Sequence, residues 1–124
     1  MNIIRFFAYF LIGSFAFLRI IGSVIKSFSD LTTKKIYLGD VLSKKDRKKI
    51  GSLNIEKAKE RLMVLASANE KRLMMASHLH YHSLHGSQRF SIDADSRRSP
   101  WRITFLWDDE EMVDVLFVQI EDTH

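Results

Sequence analysis

Apolar and polar positions alternate along this chain in three distinct patterns. Residues 1–25 have no period at all: they are apolar and aromatic throughout, with an uncharged run over 6–18 that Arg19 interrupts before 20–25 resume it. A run of that length matches a signal-peptide core better than a full membrane span, which needs about 20 residues. Arg19 near the middle of a longer span is costly. Three readings stay open: a signal peptide or anchor, a hydrophobic helix docked on the domain, or an upstream extension of a domain that starts near Val24. We adopt the third, so that 1–23 is a leader or misassigned extension and 24–124 is the domain. A membrane is a partner only if the leader is real.

The second pattern is helical. Ile55, Ala58, Leu62, Leu65 and Ala66 recur at helical spacing and predict an amphipathic helix over 55–68, with Asn54 as N-cap and Glu56 in the first turn where the dipole favours an acid. A shorter helix is expected through Thr32, Lys34 and Leu38, capped by Ser29 or Asp30 and stopped at Gly39. Residues 41–52 are lysine-rich and read as a short helix or a mobile loop.

The third pattern has period two. Residues 101–107 put Trp101, Ile103, Phe105 and Trp107 on one side and Arg102, Thr104 and Leu106 on the other. Strands are also expected over 24–28, 89–93 and 112–121. The last is almost wholly apolar, which predicts a central strand covered on both faces. An acidic turn over 108–111 separates the final two. Strand, helices, then a meander make an α+β fold: a small antiparallel sheet with two or three helices packed on one face, preceded by a hydrophobic N-terminal segment.

With 124 residues, 46% hydrophobic and 27% charged, the chain suits one globular domain. It has no cysteine, which excludes disulfides, thiolate nucleophiles and cysteine zinc sites and fits a cytoplasmic location. Charge is uneven. Residues 24–107 hold 17 basic groups against 8 acids, whereas 108–124 hold seven acids and no Lys or Arg. A basic body suits an anionic partner, nucleic acid above all, although a solvated lysine-rich surface has the same composition.

Four of the five histidines lie within 78–85. On an extended chain His78, His80 and His82 share a face, which raises zinc. The tract contains no acid, and the chain has neither cysteine nor an HExxH pair, so no metal and no cofactor is expected.

The chain closes on Glu121-Asp122-Thr123-His124, an acid, a hydroxyl and an imidazole directly after the final strand. Together with His82-Ser83-Leu84-His85-Gly86, Ser91-Ile92 and Trp101-Arg102-Ile103-Thr104-Phe105 in that order, this ending resembles the HigB-type toxins of the RelE/ParE superfamily, the killer proteins of bacterial toxin–antitoxin modules. The resemblance covers about 24–124. It implies a RelE-like fold, ribosome-dependent and metal-independent cleavage of messenger RNA, and a helix-turn-helix antitoxin as partner.

Cleavage by the 2′-hydroxyl needs groups that take and give protons and cations that meet the developing phosphorane charge. His82 and His124 are the expected proton-transfer pair, with Asp122 orienting an imidazole. Arg89 and Arg102 are the expected phosphate clamps. His85 stands where the family often has lysine and supplies a pH-dependent cation. Lys45 and Lys48, in the lysine run, are candidates for ribosomal RNA phosphates. Thr123 departs from the family's tyrosine and cannot stack on a base, so another ring, Tyr81 or Phe90, has to substitute. A second reading on the same fold is a weak or silent homologue that binds antitoxin or RNA without cutting.

Overall fold

The computed structural model describes residues 24–124. The hydrophobic leader lies outside the described residues.

Among the described residues four helices precede the sheet, each set by a local cap. Helix α1 (Leu31–Leu38) begins where the Asp30 carboxylate accepts the Thr33 amide at 3.0 Å. It ends at Gly39, whose φ of 76° is left-handed; a Cβ there meets Lys59 Nζ at 2.9 Å. Helix α2 (Lys44–Ile50) settles the lysine-rich stretch as a helix. Its Ser43–Asp46 capping box is closed in both directions. Asp46 also ties α2 to α1, accepting from Thr32 Oγ1 at 2.7 Å and pairing with Lys35 Nζ at 2.9 Å.

Those bonds hold the Asp46 carboxyl well below the usual carboxylate range, the Lys35 ammonium first, then the Thr32 hydroxyl and the Ser43 amide. A carboxyl lowered on folding stabilises fully above its unfolded value near 4 and loses that contribution as pH falls further. Asp46→Asn should therefore lower the melting temperature by a constant gap from pH 7 to about pH 4, and the gap should narrow below that. Thermal melts of both proteins across pH 2–7 check this; a gap that does not narrow contradicts it.

Helix α3 (Ile55–Leu65) is capped by Asn54, which accepts the Lys57 amide, and buries Ala58, Leu62 and Leu65 as the periodicity predicts. It stops three residues early, and Ser67 Oγ turns back onto the Met63 and Val64 carbonyls. The apolar pattern does not predict α4 (Glu70–Met75), capped by Asn69, or the 3-10 turn Ser77–Leu79. Each is too short for a period to emerge and sinks one leucine, Leu73 or Leu79. The expectation that His78, His80 and His82 share a face of an extended chain fails for this reason. His78 sits in the 3-10 turn, His80 is left-handed at φ 54°, and only His82 is in a strand.

Among the described residues the sheet has four antiparallel strands in the order β1 (His82–Ser83), β2 (Phe90–Asp93), β3 (Trp101–Trp107), β4 (Val115–Asp122). The expected opening strand is an extended edge segment on the outer side of β4. It makes two isolated parallel bridges, Ile25 with Val115 and Phe28 with Val118, with Lys26 N donating to Val115 O at 2.8 Å. β4 is therefore flanked on both edges, but it is not covered on both faces as its composition suggested: Leu116, Gln119 and Glu121 are half-buried and Phe117 is 48% exposed. A bulge explains the break. Thr104 pairs with Gln119 but Leu106 with Leu116, so Phe117 and Val118 oppose Phe105, and Phe117 takes φ 51°.

One face of the sheet carries Ile92, Ile103, Phe105, Val118 and Ile120, which join Ile36, Ala58, Leu62, Leu65 and Leu73 of the helices in a single core. Tyr81, Phe90, Phe105 and Trp107 stack along its edge. The other face presents Ser91, Asp93, Arg102, Thr104 and Glu121 by strand alternation. Among the described residues no helix is long and apolar enough to cross a membrane.

Candidate functional site

The polar face of the sheet rests on a buried ion pair. Asp93 (1% exposed) and Arg102 (4%) are directly opposed on β2 and β3, with Arg102 Nε 3.3 Å from Asp93 Oδ1. Arg97 Nη1 reaches the same oxygen at 2.9 Å, and His80 Nδ1 lies 2.9 Å from Asp93 Oδ2. The remaining Arg102 donors go to the carbonyls of Ser99, Trp101 and Arg97. Its guanidinium thus holds the 94–100 loop against the sheet and offers no fork to a phosphate. Burial of two charges is tolerated only when they are paired and hydrogen-bonded in this way.

Beside this pair lies a second, more accessible cluster. Arg89, just before β2, crosses β3: its Nε donates to Thr104 Oγ1 at 3.1 Å and its Nη2 to Thr104 O at 2.9 Å and to Phe117 O. Thr104 Oγ1 in turn donates to Glu121 Oε2 at 2.5 Å, and Arg89 Nε is 4.0 Å from that oxygen. Burial draws the guanidinium's pKa down and the Glu121 charge opposes it. Among the described residues Arg89 Nη1 donates to no protein atom and Glu121 Oε1 accepts from none. One guanidinium nitrogen, Arg89 Nη1, and one carboxylate oxygen, Glu121 Oε1, of two partly exposed side chains are therefore left without a protein partner among the described residues, with Thr104 fixing the spacing of the two groups. The bulge aids this: the Phe117 carbonyl accepts from Ser29 Oγ as well as Arg89, and the Phe117 amide donates to Ser27 Oγ.

His82 belongs to the same face. It is registered with Ser91, which is registered with Thr104. Its Nδ1 lies 2.8 Å from the His80 carbonyl. That contact places the ring proton on Nδ1 and leaves Nε2 as the basic nitrogen. His85 is exposed in the β1–β2 turn beside Gly86 (φ 80°).

The chain end lies elsewhere. Asp122 is registered with Trp101 and alternates with Ile120, which puts it toward the helical face. His124 does pair with Asp122: its amide donates to Asp122 Oδ1 at 2.9 Å and its Nδ1 is 3.6 Å from the same atom. His82 and Asp122 are separated by three strand spacings and three residues along the sheet, roughly 17 Å between Cα atoms, and point to opposite faces. The structure brings Asp122 to His124 but does not bring His124 to His82 or to any arginine among the described residues. Lys45 and Lys48 are exposed on α2, in the helical layer. Tyr81 and Phe90 stack in the core cluster; Tyr81 is further tied to Glu70 and Trp107, so neither ring is offered to a base.

Thr104, Glu121, Asp93, His80 and Arg97 complete these clusters, and sequence alone assigns none of them this place: His80 stands out there only as a candidate zinc ligand and Glu121 only as part of the terminal motif. The alternation of 101–107 already put Thr104 beside Arg102; only the β3–β4 register adds Glu121. Comparison with known proteins gives no match: no family model, no curated protein and no solved structure matches this chain.

Proposed function

We propose that this protein is a HigB-like, RelE-fold toxin of a toxin–antitoxin module, an endoribonuclease that cuts messenger RNA on the ribosome and is restrained by a helix-turn-helix antitoxin. The order of the motifs, the α+β arrangement with one polar sheet face, and the basic 24–107 body support the reading. The observation that carries it is that the same polar face holds both an arginine with an open Nη1, Arg89, and a histidine, His82, whose Nδ1 is engaged by a carbonyl so that Nε2 is left for proton exchange. Arg89 is the phosphate clamp and His82 a proton-transfer group. Arg102 supports the face from beneath. Lys45, Lys48 and His85 are contacts for RNA phosphates at longer range.

One observation favours a second reading, a silent homologue that binds antitoxin or RNA without cutting. The two imidazoles expected to share the chemistry stand on opposite faces, and Thr123 supplies no ring. Tightly controlled expression of the full chain separates the two. Growth arrest with loss of intact messenger RNA, relieved by His82→Ala, supports the nuclease. Normal growth while the full-length protein accumulates supports the silent binder. His124→Ala in the same assay reports on the tail: unchanged arrest removes the terminal imidazole from the chemistry.

A further inference from the structure

None of the rings expected to meet an RNA base is offered to one: Thr123 carries no ring, and Tyr81 and Phe90 stack in the core cluster. We propose, on the basis of the nuclease reading above, that Phe117 at the β4 bulge is the platform on which an unpaired base of the messenger RNA stacks, beside the phosphate held by Arg89.

Exposure, backbone and hydrogen bonding at the bulge argue for this role. The Phe117 ring is 48% exposed, and among the described residues it joins neither an aromatic pair nor the hydrophobic core. Its backbone is left-handed at φ 51°, a conformation that glycine takes freely and that strains an aromatic residue. Such strain persists only where the surroundings hold it. Here both backbone groups are held: the amide donates to Ser27 Oγ at 2.9 Å, and the carbonyl accepts from Ser29 Oγ at 3.0 Å and from Arg89 Nη2. A bulge built only to bend the strand is served better by glycine. Phenylalanine there adds strain and leaves an apolar ring half in water.

The Arg89 bond also joins the ring to the phosphate clamp. A residue whose own carbonyl accepts from a guanidinium has its Cα within roughly 5 Å of that guanidinium. The two side chains can therefore divide one stretch of single-stranded RNA between them. Arg89 Nη1 meets phosphate oxygens, and the phenyl ring meets the face of a neighbouring base. Every base has such a face, and the ring has no donor or acceptor for a base edge. The contact fixes where the RNA lies and reads no sequence.

The test uses the purified full chain on ribosomes carrying a defined messenger RNA, comparing wild type with Phe117→Tyr, Phe117→Ala and Phe117→Gly. Tyrosine keeps the ring and should cleave within a few-fold of wild type. Alanine should cleave about 10-fold to 100-fold more slowly, the usual loss when one stacked ring is removed. Glycine relieves the left-handed backbone and should melt above Phe117→Ala, yet cleave as slowly. A second series removes one base at a time from the message around the cut, leaving the sugar and phosphate. At the stacked position the abasic residue should slow wild type as much as the alanine does, and slow Phe117→Ala no further. Wild-type cleavage by Phe117→Ala, recovery of cleavage in Phe117→Gly, or abasic losses equal in wild type and Phe117→Ala at every position overturns the platform and leaves the nuclease reading standing. Absence of any cleavage by wild type overturns the nuclease reading and this inference with it.

Discussion

Asp93→Ala should destabilise the domain by about 3–5 kcal/mol, because it strands Arg102 as an uncompensated charge inside the sheet. The two side chains are 1% and 5% exposed, so water cannot take over the lost partner. Arg97 and His80 lose their shared acceptor at the same time. Domains of this size are stable by only about 5–15 kcal/mol, so the variant should be largely unfolded under conditions where wild type is folded. Asp93→Ala combined with Arg102→Met should recover much of the loss, since removing both charges leaves no buried group unpaired. Urea unfolding followed by circular dichroism checks this. A loss below about 1 kcal/mol, within the range of an exposed pair, contradicts the buried-pair description.

Arg89→Ala should reduce messenger RNA cleavage by about 100-fold to 1,000-fold, the usual cost of removing one preorganised donor from a developing oxyanion. Growth arrest on expression should disappear. The change removes the cation and also frees Thr104 Oγ1 and the Phe117 carbonyl, so a smaller structural effect is expected alongside. Arg89→Lys separates the two: it keeps the charge but loses the fork, and should recover part of the activity only. Lys57→Ala serves as control. Lys57 is equally cationic and exposed on α3, in the helical layer, and its loss should leave cleavage unchanged. Equal effects of Arg89→Ala and Lys57→Ala would place the reaction off this face.

Much of the fold is legible in the residues because local signals and burial agree. The cap at Ser29 or Asp30, of which the structure uses Asp30, the cap at Asn54, the stop at Gly39, the apolar stripe of α3 and the alternation of β3 each predict an element that the structure contains. What escapes the sequence is long-range. The apolar run of β4 reads as a strand covered on both faces, but a bulge at Phe117 turns part of it outward, and bulges leave no mark in an apolar period. The short α4, just before the histidine-rich tract, and the 3-10 turn at its start leave no periodic signal because a single buried leucine, Leu73 or Leu79, fixes each.

The candidate site follows the same division. Arg89, Arg102 and His82 stand out by residue type, and the pairing of Asp122 with His124 follows from strand alternation. Which groups share a face depends on register. Register separates His82 from the terminal histidine, joins Arg89 to Glu121 through Thr104, and withdraws Arg102 into an ion pair with Asp93. A chain end looks chemically rich in sequence; here the sheet delivers it to the helical side, away from the arginine that can hold a phosphate.

The most direct measurement maps RNA ends after incubating the purified full chain with a defined messenger RNA, with and without translating ribosomes. New 5′ ends inside the reading frame, dependent on ribosomes and lost in Arg89→Ala, are the predicted result. An intact messenger RNA under both conditions, with the protein folded and bound to the ribosome, would contradict the nuclease account.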